Sequence, residues 1–187
     1  MGQGTLIVLL GGVALLGWGV WVYNRLVFNR QRVAEASSGV DVQLKRRSSL
    51  IPALVGCVRQ YMAHEQGTLQ ALVSERSRAL ELGEAALAAR APVEAQLSGS
   101  LRQLFALVEG YPELKADGQF LELQQAISEC EEHIQMARRY YNGAVRELNV
   151  LVESAPSNLL ARLFNFTPAE YFALAAPEEG QSPKLEF

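Results

Sequence analysis

The sequence has very few of the residues from which catalytic and metal sites are usually built. Its 187 residues include two cysteines and two histidines, and Cys57 and Cys130 have neither CxxC nor zinc-site spacing. No Glu-x-x-His occurs, which excludes a di-metal carboxylate bundle. His64–Glu65 is not followed by the second histidine of a zinc-protease helix, and Gly-x-Ser-x-Gly and phosphate-binding glycine loops are missing. We therefore expect no catalytic residues, no cofactor and no metal, and two reduced thiols in a cytoplasmic core.

No charged side chain occurs in the first 24 positions, and Arg25 is the first. The run from Leu6 to Tyr23 contains 18 residues, and as a helix it spans about 27 Å, close to the thickness of a hydrocarbon core. A cleaved signal peptide would carry basic residues before this run and a small-x-small site after it. The sequence has neither feature, so we interpret residues 1–24 as an uncleaved transmembrane anchor.

The charge distribution predicts the orientation of the anchor. Six basic and two acidic residues between 25 and 47 give +4, and since the whole chain has a net charge of −3, the part after Arg47 carries −7. The positive-inside rule then places the N-terminus outside a bacterial cytoplasmic membrane and the body in the cytoplasm. An acidic body also argues against nucleic-acid binding. Aromatic and basic residues at the end of the anchor are expected at the lipid headgroups: Trp21, Tyr23, Arg25, Arg30 and Arg32.

Small residues recur on one face of the anchor. Thr5, Gly12 and Gly19 are seven positions apart and share one side of a helix, which favours packing against another membrane helix. The alternative is that glycines are simply common in membrane helices, and there is no strict GxxxG.

The body is predicted to be helical. Between about Gly118 and Ser154, apolar or small residues alternate at spacings of three and four, which indicates a heptad seam on one long helix. Asp117 is a plausible cap at its start, and Pro156 follows its end. The seam positions are Phe120, Leu123, Ile127, Cys130, Ile134, Ala137, Tyr141, Ala144, Leu148 and Leu151.

Two shorter helices are predicted before this one. The first has a stripe at Leu97, Leu101, Leu104, Val108 and Tyr111, and we expect Pro92 and Pro112 to bracket it. The segment GYPELKADG then forms the connecting turn. Between Glu65 and Ala91 a weaker helix keeps its phase at Leu69, Val73, Leu80 and Leu87, although Gly67 and Gly83 interrupt the pattern.

The first helix of the body contains Pro52. A seam of alternating three- and four-residue steps runs from Val33 to Tyr61 without losing phase at this proline. We therefore expect a kinked but continuous helix, and the alternative is a break with Ser49 as the cap. In a continuous helix Lys45 lies 22 residues beyond Tyr23, or roughly 33 Å away, which is outside the roughly 8 Å screening length of the bilayer charge.

Arg47 falls on that seam, where an unpaired charge would be costly. It must either extend toward solvent or meet an acidic partner, for which residues 129–132 are the nearest candidates. The patch ARRYYN is interpreted as inter-helix hydrogen bonding or the lining of a binding groove. The residues expected to make polar contacts within or between subunits are Arg46, Arg47, Glu129, Glu132, Arg138, Tyr140 and Asn142.

The C-terminal region is strongly apolar up to Phe172. Residues 156–175 are expected either to clamp one end of the bundle or to dock against a neighbouring subunit or the membrane surface. The docking residues would be Leu163, Phe164, Phe166, Tyr171 and Phe172. The remaining residues, 176–187, are expected to be disordered. The domain organisation is thus an anchor (1–24), a helical bundle (25–155), the apolar segment and a tail.

The motifs YNRLV, VDVQLKRRSSLIPALV, YMAHE, YPELKADGQFLELQ, ARRYYN and FNFTPAEYF occur in this order between Tyr23 and Phe172. In this set and order the chain resembles the LemA family of bacterial membrane proteins. The resemblance implies a membrane-anchored, antiparallel helical bundle of the bacterial envelope, and it implies no catalytic residues.

The sequence therefore predicts an all-α protein: one transmembrane helix, then an elongated antiparallel bundle of three to four helices. Our leading functional hypothesis is a single-pass interaction or scaffold protein that is not an enzyme. Its partners would be the lipid bilayer, further copies of itself and other envelope proteins. The alternatives are a regulatory adaptor of a membrane protease or remodelling machine, and a metal-binding bundle enzyme that would use Glu129 and His133.

Overall fold

The computed structural model describes residues 2–62, 64–83 and 85–172. Regular structure in these ranges is entirely helical, which confirms the predicted all-α class. The helices are α1 (Gly2–Arg59), α2 (Gln66–Glu81), α3 (Leu87–Val108), α4 (Pro112–Lys115), α5 (Gly118–Glu153) and α6 (Ser157–Leu163). The predicted disordered tail, 176–187, lies outside the described residues.

Helix α1 continues through Pro52, as the unbroken seam predicts. Proline removes the backbone N–H that would bond the carbonyl of the residue four positions earlier, which here is Ser48. The guanidinium of Arg76 on α2 donates from Nε to the Ser48 carbonyl at 2.8 Å. The acceptor that Pro52 leaves open therefore has a partner from another helix, and the helix does not have to end there.

The predicted seam of α5 is also confirmed. The helix begins at Gly118 and ends at Glu153, and its seam residues are buried or half-buried. The backbone N–H of Phe120 donates to Asp117 Oδ1 at 2.9 Å, so Asp117 caps the helix as predicted. The second carboxylate oxygen accepts from the Tyr61 hydroxyl at 2.9 Å. The Phe120 bond, followed by the Tyr61 bond, holds the pKa of Asp117 below its usual value.

Two predictions for the shorter helices are wrong. Pro92 does not begin its helix but lies inside α3, which starts at Leu87 because the alanine-rich residues before the proline have high helix propensity. The predicted weak helix ends at Glu81 instead of running on to Ala91.

The buried stripe of α2 also differs from the prediction. Leu69, Leu72 and Ala79 face the core, whereas Val73 and Leu80 are exposed. The predicted stripe shared Leu69 but was one residue too far along the chain at Val73 and Leu80, and its last member, Leu87, is a buried residue of α3. The observed spacing includes Arg76 on the same side, where it reaches Ser48.

The chain forms two compact units. Unit 1 contains residues 2–38 and 140–170, and unit 2 contains the described residues of 39–139 together with 171–172. The core of unit 1 is built by parts of α1 and α5 with α6, and includes Val22, Leu26, Leu148, Val152 and Ala161. The core of unit 2 is larger and draws on α1 to α5, with Ile51, Leu72, Leu97, Phe120 and Ile127 among its buried residues.

Candidate functional site

Unit 2 contains a buried ionic network centred on Arg47. Arg47 is fully buried, with 0% of the residue exposed. Its Nη2 donates to Glu94 Oε2 at 2.5 Å, and its Nη1 donates to Glu131 Oε1 at 2.6 Å and to Ser98 Oγ at 2.5 Å. Helices α1, α3 and α5 each supply a member of this cluster. An arginine on an apolar seam is accommodated here because two carboxylates neutralise it.

A second buried arginine extends the network. Arg90 donates to Asp41 Oδ1 at 2.5 Å and to Glu94 Oε1 at 3.4 Å, so the two arginines share one carboxylate. The Nε atoms of Arg47 and Arg90 are buried and have no hydrogen-bond partner among the described residues. A buried polar network that is incompletely satisfied adds little net stability, but breaking it is costly. The network joins α1, α3 and α5 through ion pairs and hydrogen bonds.

The acidic partner on α5 comes from the expected range 129–132, and it is Glu131. Glu94 was missed, although the sequence contains a signal for it. Glu94 lies three residues before Leu97 and continues the stripe of α3, so a carboxylate and an arginine each occupy a core position on facing helices. Two opposite charges on apolar stripes are a pairing signal.

The network forms one wall of a groove in unit 2 with a volume of about 360 Å³. Arg47, Glu94 and Glu131 lie beside apolar side chains that include Phe105 and Ile134. Further polar residues continue the lining, namely Ser98, Arg102, Ser128, Gln135 and Arg138. The lining therefore combines apolar side chains with charged and polar ones.

Of the other predicted polar residues, Arg138 also lines this groove, and the rest do not. Arg46 and Glu132 are exposed, and Glu129 accepts a hydrogen bond from Gln125 on the same helix at 3.1 Å. Arg138 donates to Gln135 at 2.5 Å. Asn142 is half-buried on α5. Among the described residues no three His, Cys, Asp or Glu side chains lie close enough to hold a metal ion together.

A second set of predicted site residues lies in unit 1. The guanidinium of Arg25 stacks over Trp21 at 5.3 Å, and that of Arg30 stacks over Phe166 at 5.0 Å. Arg32 pairs with Glu147 at 2.5 Å. The Tyr140 hydroxyl, followed by the Glu147 charge, raises the pKa of Arg32 above its ordinary value. These arginines, predicted to lie at the headgroups, therefore also contact the protein.

The predicted apolar docking residues divide into two groups. Phe166 and Phe172 are buried, in unit 1 and unit 2 respectively, whereas Leu163, Phe164 and Tyr171 are exposed. Asn149 holds the segment after α6, since its amide donates to the Ala169 carbonyl at 2.9 Å and accepts from the Ala169 N–H at 2.8 Å. Tyr141 adds a hydrogen bond from its hydroxyl to the Glu170 carbonyl at 2.9 Å.

The predicted membrane-packing face is exposed over most of its length. Residues 2–17 of α1 are exposed at every position, and this stretch includes Thr5 and Gly12. A Cβ atom added at Gly12 or Gly19 would meet nothing within 4 Å. The face therefore has room for a neighbouring helix or for lipid.

A strongly apolar helix followed by further helices is consistent with the class of single-pass, membrane-associated helical-bundle proteins. Of the described helices, α1 is the one long and apolar enough to cross a membrane. The model of the LemA family matches residues 36–187, and the chain belongs to this family. The resemblance seen in the sequence motifs is thereby confirmed.

Three relatives of this chain are magnetosome proteins. MamQ 1 and MamQ 2 of Paramagnetospirillum magneticum are each 24% identical to this chain over 190 residues, which cover 89% of this chain and 70% of the relative. MamQ of Magnetospirillum gryphiswaldense is 22% identical over 201 residues, which cover 92% of this chain and 74% of the relative. The family and α1 together are consistent with a single-pass membrane protein.

Proposed function

We propose that this chain is a self-associating, non-catalytic scaffold protein anchored in the bacterial cytoplasmic membrane. The main observation behind this proposal concerns helix α1. This single unbroken helix contains both the exposed apolar residues 2–17 and core residues of unit 2 such as Leu54 and Val58. The proposed anchor and part of the folded body therefore belong to one continuous helix. The names of the magnetosome relatives state no enzymatic activity, which agrees with this function.

Self-association is tested by co-expressing tagged and untagged copies and capturing them from membranes in mild detergent. The informative variant is Gly12→Leu, because a Cβ atom added at Gly12 meets nothing within 4 Å in a single copy. The matched control is Gly17→Leu, which is equally open but lies on the opposite side of the helix.

The scaffold proposal predicts that the wild type and Gly17→Leu capture the untagged copy. Capture by Gly12→Leu should fall roughly fivefold or more, as expected when a small-residue contact between membrane helices is lost. Cross-linking in membranes that yields monomer alone would contradict self-association. Equal capture by both variants would exclude the Gly12 face as the contact.

The orientation is part of the same proposal, with the N-terminus outside and the body in the cytoplasm. The excess of basic residues between 25 and 47 supports it. A reporter fused after Phe187 should show cytoplasmic activity. Activity on the outer side of the membrane would reverse the orientation and leave anchorage untouched.

The groove in unit 2 favours a second candidate, a regulatory adaptor for a membrane protease or remodelling machine. A photo-cross-linking residue at Arg102, which is exposed and lines the groove, is compared with one at the neighbouring, exposed Gln103, which does not. Cross-links from position 102 to a different protein would support the adaptor. Cross-links between copies of this chain would support the scaffold.

A further inference from the structure

Helix α6 packs beside the part of α1 that ends the apolar run. Its buried side is formed by Ser157 and Ala161. The ring of Phe164 meets that of Tyr23 edge-on, with the centroids 4.8 Å apart. Phe166 meets the same tyrosine at 6.0 Å.

The end of α6 is shaped by local backbone chemistry. Asn165 adopts a positive φ of 56°, the Phe166 N–H bonds the Ala161 carbonyl at 2.8 Å, and the Asn165 N–H bonds the Arg162 carbonyl at 3.3 Å. This is the Schellman arrangement, which ends a helix and directs the next apolar residue back onto it. It turns Phe166 into the core of unit 1 and leaves Phe164 at the surface.

An apolar groove of about 420 Å³ lies between α6 and α1. None of the nine described residues that line it is charged. The α1 side belongs entirely to the run from Leu6 to Tyr23, and its aromatic members are of the type that favours the headgroup level. The lining consists of Leu15, Leu16, Trp18, Gly19, Val20, Tyr23, Leu160, Leu163 and Phe164.

The outer surface of α6 continues the exposed surface of the anchor. Leu159 and Leu163, four positions apart on one side, are 66% and 69% exposed, and Leu15 and Leu16 across the groove are 69% and 73% exposed. Exposed Arg162 lies between the two outer leucines in sequence. An apolar patch of this kind, with a basic residue at its side, is typical of a helix at a membrane interface.

We propose that α6 is an interfacial membrane element and that the groove between α6 and α1 takes an acyl chain of a lipid. Leu159, Leu163 and Phe164 enter the boundary between headgroups and acyl chains, while Arg162 extends to the phosphates. Lipid is the occupant because the groove and the exposed leucines are continuous with the anchor, whose surface lipid already covers. The inference rests on the proposed membrane anchorage.

The test measures the depth of single residues in lipid nanodiscs containing the full chain. Leu163→Cys is labelled with an environment-sensitive fluorophore and exposed to lipids carrying a nitroxide near the headgroup end or near the methyl end of the acyl chain. Leu9→Cys reports the anchor, and Leu80→Cys, at a 50% exposed leucine of unit 2, is the control. Cys57 and Cys130 are buried, and background labelling of the parent chain is subtracted.

The proposal predicts that the shallow nitroxide lowers the Leu163→Cys signal about twofold or more and that the deep nitroxide has a smaller effect. Leu80→Cys should not respond. Quenching at position 9 without quenching at 163 would overturn the role of α6 and leave the anchor intact. No quenching at either position would overturn the anchorage itself. If a second copy of the chain covered position 163, the label there would not be quenched. That result would also reject lipid as the occupant of the groove.

Discussion

Units 1 and 2 use segments of the same two long helices, α1 and α5, but Arg47 in unit 2 and Arg32 in unit 1 lie in opposite surroundings. In unit 2 the Arg47 side chain is 1% exposed and meets two carboxylates. In unit 1 the Arg32–Glu147 pair has side chains that are 30% and 50% exposed, and Arg30 lies over an aromatic ring. Similar ion-pair geometry therefore has different consequences, because burial removes the water that would otherwise stabilise each charge.

The strongest test of this difference is Arg47→Met. The change leaves Glu94 and Glu131 without their shared cation, and Glu94 is buried. We expect the free energy of unfolding to fall by about 3–5 kcal/mol, the usual cost of breaking a buried ion pair from one side. The measurement is thermal or urea unfolding of the purified chain in detergent. The double variant Arg47→Met/Glu94→Gln should recover part of the loss, and a double variant less stable than the single one would contradict the pairing.

The contact between Arg76 and Ser48 is tested by a double-mutant cycle with Pro52. Arg76→Met removes the donor to the Ser48 carbonyl, and we expect a loss of about 1–3 kcal/mol, as for an acceptor left without a partner. In the Pro52→Ala background the new backbone N–H can bond that carbonyl, so the same change should cost clearly less. Equal costs in the two backgrounds would show that Arg76 does not compensate for the proline.

Unit 1 has its own buried polar contact, and Asn149→Leu removes it. The two hydrogen bonds to Ala169 are lost together, which should lower stability by about 1–2 kcal/mol. It should also speed proteolysis near residues 167–171. Tyr141→Phe removes one hydrogen bond from the same segment and should have a smaller effect. If Tyr141→Phe proved the more damaging change, Asn149 would not be the main attachment of the segment.

The Asp117 cap of unit 2 predicts a pH dependence. Its pKa is lower in the folded chain than in the unfolded one, so its contribution is fully present above the unfolded value and is lost as the pH falls through the folded value. Asp117→Ala should lower the Tm by a few degrees at neutral pH, and the difference from the wild type should shrink in acid. Asp117→Asn keeps the cap without the charge. A deficit for Asp117→Ala that does not change with pH would argue against the ionised carboxylate.

The smallest expected effect is that of Arg32→Ala in unit 1. Its pair with Glu147 is exposed, and water stabilises the Glu147 carboxylate when the arginine is removed. We expect almost no change in Tm and less dependence on salt than in the wild type. A loss of stability as large as that of Arg47→Met would show that the exposed ion pair contributes as much as the buried one.

Several elements were predictable because they depend on residues close in the chain. The seam of α5, its cap at Asp117, the passage of α1 through Pro52 and the apolar run all follow from spacings of three and four or from composition. The misplaced stripe of α2 shows the limit of this reasoning. Val73 and Leu80 keep helical phase with Leu69, and so do Leu72 and Ala79. Periodicity alone therefore could not decide which of the two helix faces is buried.

Among the polar contacts, the sequence indicated that Arg47 needs an acidic partner but not which one. Glu131 is 84 residues away along the chain, Glu94 is 47 residues away, and Arg90 joins through Glu94. Pairings at such separations depend on the order and rotation of three packed helices. Local sequence patterns contain no information about that rotation.

The sequence by itself determined the helical class, the apolar run and the buried seam of α5, because these follow from the backbone period and from the transfer of side chains out of water. The tertiary structure alone decided which charges neutralise one another, which helix supplies the partner for the Ser48 carbonyl, and where α6 lies. These features require groups from distant segments to meet within hydrogen-bond or van der Waals distance, and packing determines which of them meet.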